Sequence, residues 1–290
     1  MQIVLVNGLE NNWKMLKVII NADDLGKNHE VNKAIETCIK SGLITSTTLM
    51  AGGAAFEEGV AIALRHPEIS VGVHLTIDEE QSLTQSPVFL KYGITKENGE
   101  FVKGAIGKIK KLPSDLKLAI NEEWVLQVQR VKEAGVKVSH VDSHHHYHTL
   151  PSLQCCLLHV TNVCHVNKVR LRQLKTVDMM LHHVKTVSVI HKNEKSENKT
   201  ISSKKPSRVR IVKDYLMEII RQMIFKYRYK TTDFFCSYLF FFENRDYLLN
   251  RMKGKVVELM CHPGHPDYID ETSKLIYNYK EIEKINYWQL

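Results

Sequence analysis

Apolar and polar positions change their period several times along the chain, and each change predicts an element. Residues 16 to 21 (Leu-Lys-Val-Ile-Ile-Asn) form a short, mostly apolar run, the pattern of a strand buried on both faces. Between residues 28 and 41, Val31, Ala34, Ile35, Cys38 and Ile39 fall on one helical face, and Gly42 follows as a stop. Residues 43 to 50 are rich in β-branched side chains and predict a second strand. A helix over 56–66 ends at Pro67, and residues 69 to 76 read as a third strand. Gly72 within that strand marks a place where something approaches the backbone closely. Residues 77 to 112 are polar and irregular, a connection long enough to be functional or mobile. An amphipathic helix over 112–134 stops at Gly135. Residues 136 to 141 then alternate as a strand, and Pro151 stands at the start of a helix over 152–163. Further on, the pattern predicts a short strand over 168–172, a helix over 212–230, an aromatic strand over 233–242, a helix over 243–253 and a last strand over 255–261. Residues 267 to 290 read as a polar helical tail.

The repeated order of strand, loop and helix implies a parallel sheet with helical crossovers. About seven strands are expected. No glycine-rich phosphate loop follows the first, so the pattern favours a barrel-like (β/α) arrangement over a Rossmann sheet. The expected organisation is a leader over 1–15, one α/β domain over 16–270 with a variable basic insertion around 174–232, and a helical tail over 271–290.

Composition changes this picture little. The chain has 290 residues, 43% hydrophobic and 25% charged, an ordinary globular balance. The net charge of +8 is uneven: residues 192 to 213 hold eight Lys and Arg against Glu194 and Glu197. Such a run is more often a solvated loop than a binding surface, and no nucleic-acid-binding motif accompanies it. The six cysteines form no C-x-x-C pair and several sit in apolar runs, which points to a reducing compartment. There is no basic n-region followed by a long apolar stretch, so a cytoplasmic protein without a signal peptide or membrane span is expected.

The chemistry lies at strand ends. Asp23-Asp24 follows the first strand and His74 ends the third. Asp142-Ser143-His144-His145-His146-Tyr147-His148 follows the fourth, and His262 follows the last. Packing would account for any one of them, as a helix cap or a core histidine. In a parallel barrel these ends converge on one face. One carboxylate and two imidazoles, with room for water, suit a catalytic divalent metal that lowers the pKa of its water and polarises a carbonyl. A neighbouring carboxylate can serve as general base and another imidazole as general acid, which together describe a hydrolase of an amide or ester.

The segments Asn-Ala-Asp-Asp-Leu-Gly, Ile-Thr-Ser-Thr-Thr-Leu-Met, Val-Gly-Val-His-Leu, His-Val-Asp-Ser-His-His-His-Tyr-His and Glu-Leu-Met-Cys-His-Pro-Gly, in this order, resemble the YdjC-like carbohydrate deacetylases, including chitooligosaccharide deacetylases. The resemblance implies a barrel related to polysaccharide deacetylases, a divalent ion (usually Mg2+, with Zn2+ the alternative) and removal of acetyl groups from N-acetylated sugars. It places Asp24, His74 and His144 as metal ligands, Asp23 as the base and His262 as the acid near the leaving amine. His148, four residues after His144, could approach the same ion on a helical turn. Asp142, His145 and His146 are candidates for orienting the ligands. Tyr147, Trp124 and Tyr268 could stack on a sugar ring or simply pack. The chain departs from the family's pattern in its leader, in residues 174 to 232 and in its tail, all of which bear on substrate choice. The expected partner is a small carbohydrate, with a homodimer compatible and neither membrane nor nucleic acid expected. The competing readings are a metal-dependent hydrolase of another amide or ester, a non-catalytic sugar-binding protein on the same fold, and nucleic-acid binding through residues 192 to 213.

Overall fold

The computed structural model describes residues 16–171, 208–268 and 282–290. The expected leader, most of the basic insertion and the first part of the tail lie outside the described residues.

Among the described residues, seven strands form one sheet: β1 (Leu16–Leu25), β2 (Ser46–Leu49), β3 (Ser70–Leu75), β4 (Val138–Ser143), β5 (Phe234–Ser237), β6 (Val256–Cys261) and β7 (Ile282–Lys284). Their order is β4-β3-β2-β1-β6-β5, with β7 beside the start of β1, and every pairing is parallel. Bridges from Val141 to Val169 and from Lys168 to Lys230 lead from the β4 edge back toward the segment entering β5. The sheet therefore curls into a half-barrel, as the strand–helix alternation predicted.

Helices cover the outside because their apolar stripes need burial. In α1 (His29–Lys40), Val31, Ile35, Cys38 and Ile39 are buried, each fully buried aliphatic contributing about 1.5–3 kcal/mol. Asn28 caps this helix, accepting the Val31 N–H at 2.9 Å, so neither Asp23 nor Asp24 is used for capping. Helix α2 (Phe56–Arg65) packs beside it. Buried Asn32 accepts the Gly26 N–H at 2.6 Å and donates to Ala55 O at 3.1 Å and Glu58 at 2.9 Å, which ties the turn after β1 to α2. Gly26 is left-handed at φ 88°, and a Cβ on Gly53 would lie 2.2 Å from its carbonyl oxygen.

The long connection after β3 is ordered. It carries α3 (Pro87–Lys91) and the antiparallel bridges Gln81–Glu100 and Thr95–Phe101. Buried Glu123, on α4 (Ser114–Glu133), accepts from Leu83 N at 3.0 Å, Thr84 N at 2.8 Å and Ser82 Oγ at 2.9 Å. This holds the beginning of the connection, Asp78 and Glu79 included, against the barrel mouth.

Three expectations change. The short strand expected over 168–172 is reduced to isolated bridges at Lys168 and Val169. The aromatic run over 233–242 is not one strand: β5 stops at Ser237, whose hydroxyl caps a short helix, Tyr238–Glu243. An apolar run without alternation fits a strand or a buried helix equally well, and the serine cap decides between them here. The end of the expected helical tail is instead β7 followed by a 3-10 turn at Tyr287–Gln289, closed by an Asn286 capping box. Pairing with β1 and burial of Tyr287 outweigh the polar pattern.

Candidate active site

Consecutive residues of a strand point to opposite faces, yet Asp23 and Asp24 are both buried at the same strand end. A shift in the β1–β2 register between Ala22 and Leu25, with Asp24 in the left-handed region at φ 72°, makes this geometry. Aspartate tolerates that conformation better than most residues, at a cost of about 1–2 kcal/mol. His144 to Thr149 continue from β4 as a 3-10 turn in which His145 (φ 49°) and His146 (φ 57°) are also left-handed. Strained backbone of this kind gathers at functional sites.

His74 is oriented from behind. Its Nδ1 lies 2.7 Å from Asp142 Oδ1 and 3.2 Å from the Thr48 hydroxyl, so Nε2 faces Asp24. That nitrogen is 3.2 Å from Asp24 Oδ1 at an angle that leaves this buried oxygen without a hydrogen bond among the described residues. Burial opposes charge on His74, but Asp142 and Asp24 outweigh it and raise its pKa to about 10. Burial also works to raise the Asp24 pKa, and His74, then His144 and Lys27, hold it well below the usual carboxylate range. The pair of carboxylates thus demands positive charge at His74. His144 is oriented in the same manner, its Nδ1 3.0 Å from Asp78 Oδ1 and its ring 5.7 Å from that of His74. Its Nε2 lies 3.7 Å from Glu79, which also pairs with Lys27 at 3.1 Å and Lys103 at 2.7 Å.

These donors fit a divalent ion. The orphaned Asp24 oxygen and two imidazoles whose Nδ1 atoms are tied to carboxylates are what a metal centre with its supporting shell contains. The ligand atoms that already lie within 4.8 Å of one another form two groups among the described residues, Asp23/His74/Asp142 and Asp78/His144/His145. The expected trio is split between them, with Asp24 in neither. Asp24 and His144 are nevertheless both neighbours of His74, at 3.2 Å from its Nε2 and 5.7 Å between ring centroids.

Asp23 is held differently. Arg170, fully buried, donates Nη1 to Asp23 Oδ2 at 2.7 Å and Nη2 to Oδ1 at 2.6 Å. Asn21 adds a bond at 2.8 Å. Burial works to raise the Asp23 pKa, but Arg170 outweighs it and keeps the carboxyl below its ordinary value. Arg170 also reaches Asp142 at 2.7 Å and, through Nε, Glu258 at 2.6 Å. Burial lifts Glu258 to about 7 despite Arg170 and the Tyr287 hydroxyl that bonds it.

His262 directly follows Cys261, which pairs with Ala22, so it lies at the strand end beside Asp23–Asp24. It is half-buried and stacked on Tyr268 at 4.3 Å between ring centroids. Both ring nitrogens of His148 are taken by other partners, and its ring meets His146 edge-on at 6.4 Å. Its Nδ1 meets Ser143 Oγ at 2.7 Å and its Nε2 meets Arg170 O at 3.1 Å. The left-handed residues before it break the helical spacing on which its approach to an ion depended. Of the orienting candidates, Asp142 holds His74 and His145 bonds Asp78, while His146 packs edge-on against Phe235. Trp124 is a core residue that donates to Thr76 O at 3.3 Å. The expectation at Gly72 is met: the ring of His140 occupies the space a side chain would need.

Arg170, Asp78, Glu79 and Glu258 are the site residues that sequence reasoning missed. Arg170 had a signal, a cation between the apolar Val169 and Leu171, and Asp78-Glu79-Glu80 formed an acidic run just past His74.

A half-barrel of parallel strands that gathers aspartates, imidazoles and a buried arginine at its carboxyl edge belongs with the barrel-type α/β proteins whose chemistry sits at that edge. Within that class, this chain belongs to the YdjC-like protein family, whose sequence model matches residues 17–288. It is 36% identical over 138 residues to a carbohydrate deacetylase of Brevibacillus brevis, 48% of this chain and 52% of that one. It is 35% identical over 151 residues to a carbohydrate deacetylase of Vibrio cholerae, 52% and 57% of the two chains. The chain thus spans about half the length of the curated relatives it matches. The fold is that of a crystal structure from Enterococcus faecalis of a protein named for the cleavage of cellobiose phosphate. The TM-score is 0.61, at 20% identity over 95% of this chain and 98% of that one. No described helix is long and apolar enough to cross a membrane.

Proposed function

We propose that the chain is a metal-dependent hydrolase that removes acetyl groups from N-acetylated carbohydrates of the chitooligosaccharide class. The observation that carries this reading is the pairing of unlike aspartates on adjacent residues: Asp24 turned toward His74, and Asp23 clamped by Arg170. Asp24, His74 and His144 would hold the ion, Mg2+ or Zn2+. When bound, the ion supplies Lewis-acid polarisation of a carbonyl and a lowered pKa for an attacking water. Asp23 takes the proton of that water. A carboxylate has about four lone-pair sites, and Arg170 and Asn21 fill three of those on Asp23, leaving one aimed by the clamp. His262 donates a proton to the departing amine, and its stacking on Tyr268 fixes the ring plane. Asp142 and Asp78 keep the His74 and His144 rings from turning. Tyr268, 40% exposed, places an aromatic face beside the acid, which suits a sugar ring.

The test is acetate release from di- and tri-N-acetylchitooligosaccharides by metal-stripped protein, with magnesium, zinc or cobalt restored and Asp23→Asn as control. Metal-dependent release that the variant loses supports the reading and identifies the ion. Metal binding by calorimetry without release refutes the substrate class, and no metal binding refutes the site.

A further inference from the structure

Arg170 clamps Asp23 only if its guanidinium plane is fixed, and the group that fixes it lies deeper in the barrel. Glu258 Oε1 accepts from Arg170 Nε at 2.6 Å, while Nη1 and Nη2 of the same guanidinium hold Asp23. Glu258 is fully buried on β6, and its other oxygen accepts from the hydroxyl of Tyr287. Tyr287 is in turn immobilised at every polar atom. Its N–H donates to Ser70 Oγ at 3.1 Å, its carbonyl accepts from Lys168, and its ring stacks on His140 at 3.6 Å with a 7° interplanar angle. Tyr287 follows β7, which pairs with the first residues of β1, at the opposite end of that strand from Asp23.

We propose that Tyr287 and Glu258 are positioning residues for Asp23, acting through Arg170, so that the last turn of the chain sets the geometry of the base from beneath the barrel. This inference rests on the deacetylase reading above. Without the tyrosine hydroxyl, one Glu258 oxygen is left buried and unbonded, and the carboxylate swings to seek another donor. Arg170 then follows Glu258 or turns about its own side chain, and the bidentate bond to Asp23 is lost. None of the three groups needs to touch substrate.

The experiment compares wild type with Tyr287→Phe, which removes one oxygen and keeps the ring stack, and with Glu258→Gln, which keeps the shape. The expected result is a fall in kcat of about ten- to a hundredfold in either variant, of the order that small displacements of a reacting group cost. KM and metal affinity by calorimetry stay within about twofold of wild type. In an Arg170→Lys background, Tyr287→Phe should cause no further loss of kcat, because the chain of contacts is already cut. Unchanged kcat in a folded variant, or an equal loss with and without Arg170, overturns the proposal. If Tyr287→Phe does not fold, Glu258→Gln carries the same test. Crystal structures of the variants read the proposal without turnover: Arg170 turns from Asp23 if it holds and stays in place if it fails. If wild type releases no acetate, the functional reading falls and the crystallographic result still decides the positioning chain.

Discussion

Replacing Arg170 with methionine is the perturbation whose outcome the structure constrains most tightly. The guanidinium is fully buried and bonds Asp23, Asp142 and Glu258, each itself buried. The three carboxylates are not equally exposed to its loss. Glu258, with a pKa already lifted to about 7, can take a proton near neutrality and keep its bond to Tyr287. Asp142 retains His74 at 2.7 Å. Asp23 keeps only Asn21 and becomes a buried carboxylate with one donor. Breaking a buried ion pair from one side costs about 3–5 kcal/mol. That is a fifth or more of a stability of about 5–15 kcal/mol. At about 2–4 °C per kcal/mol for a domain near this size, the melting temperature should fall by about 6–20 °C. The cost is specific to ionised Asp23, so it depends on pH with a definite sign. In wild type the folded Asp23 pKa is depressed, and its contribution is present above the unfolded value and lost as pH falls through the folded one. In the variant the folded pKa is raised instead, and stability falls as pH rises above the unfolded value. The deficit should therefore be largest at pH 7 and shrink toward pH 4. Urea unfolding of both proteins at several pH values measures it. A deficit under about 1 kcal/mol, or one that does not shrink in acid, would refute the view that Arg170 neutralises a buried carboxylate at Asp23.

Three further outcomes follow from the same geometry. Asp142→Asn should weaken divalent-metal binding about 10- to 100-fold by calorimetry, because the His74 ring loses the carboxylate that aims its Nε2. Burial lowers the folded pKa of His140 to about 3 and of His148 to about 4, so each contributes stability that is present above about pH 6.5 and lost as pH falls through those values. Unfolding at pH 5 should take up close to two protons from this pair, a slope of about 2.7 kcal/mol per pH unit that His140→Gln should halve. Gly72→Ala should destabilise by about 1–3 kcal/mol in chemical denaturation, since its Cβ would lie 2.5 Å from the His140 ring, which is wedged against Tyr287.

The sequence alone determined most of the order of elements and the candidate residues at the strand ends. Period-2 and period-3.6 patterns depend on neighbours a few residues apart, and they mark β1, α1 and β3 whatever surrounds them. The rule that parallel strands deliver their ends to one face then gathers Asp23, Asp24, His74, His144 and His262 at one edge. Where the run was short and uniformly apolar, as over 233–242, local pattern could not choose between strand and helix. Only the tertiary structure decided how the collected side chains divide their work. Arg170 lies 147 residues from Asp23 and 88 from Glu258, and Asp78 lies 66 from His144, separations that no local pattern records. A buried arginine among three carboxylates is stable only because every partner is in place at once. A polar last turn becomes a strand with a core tyrosine for the same reason: β1 and Glu258 were waiting for it. Residue types at strand ends are a property of the chain, but which of them is clamped, which is left with an open oxygen and which merely packs is settled by contacts that exist only in the folded barrel.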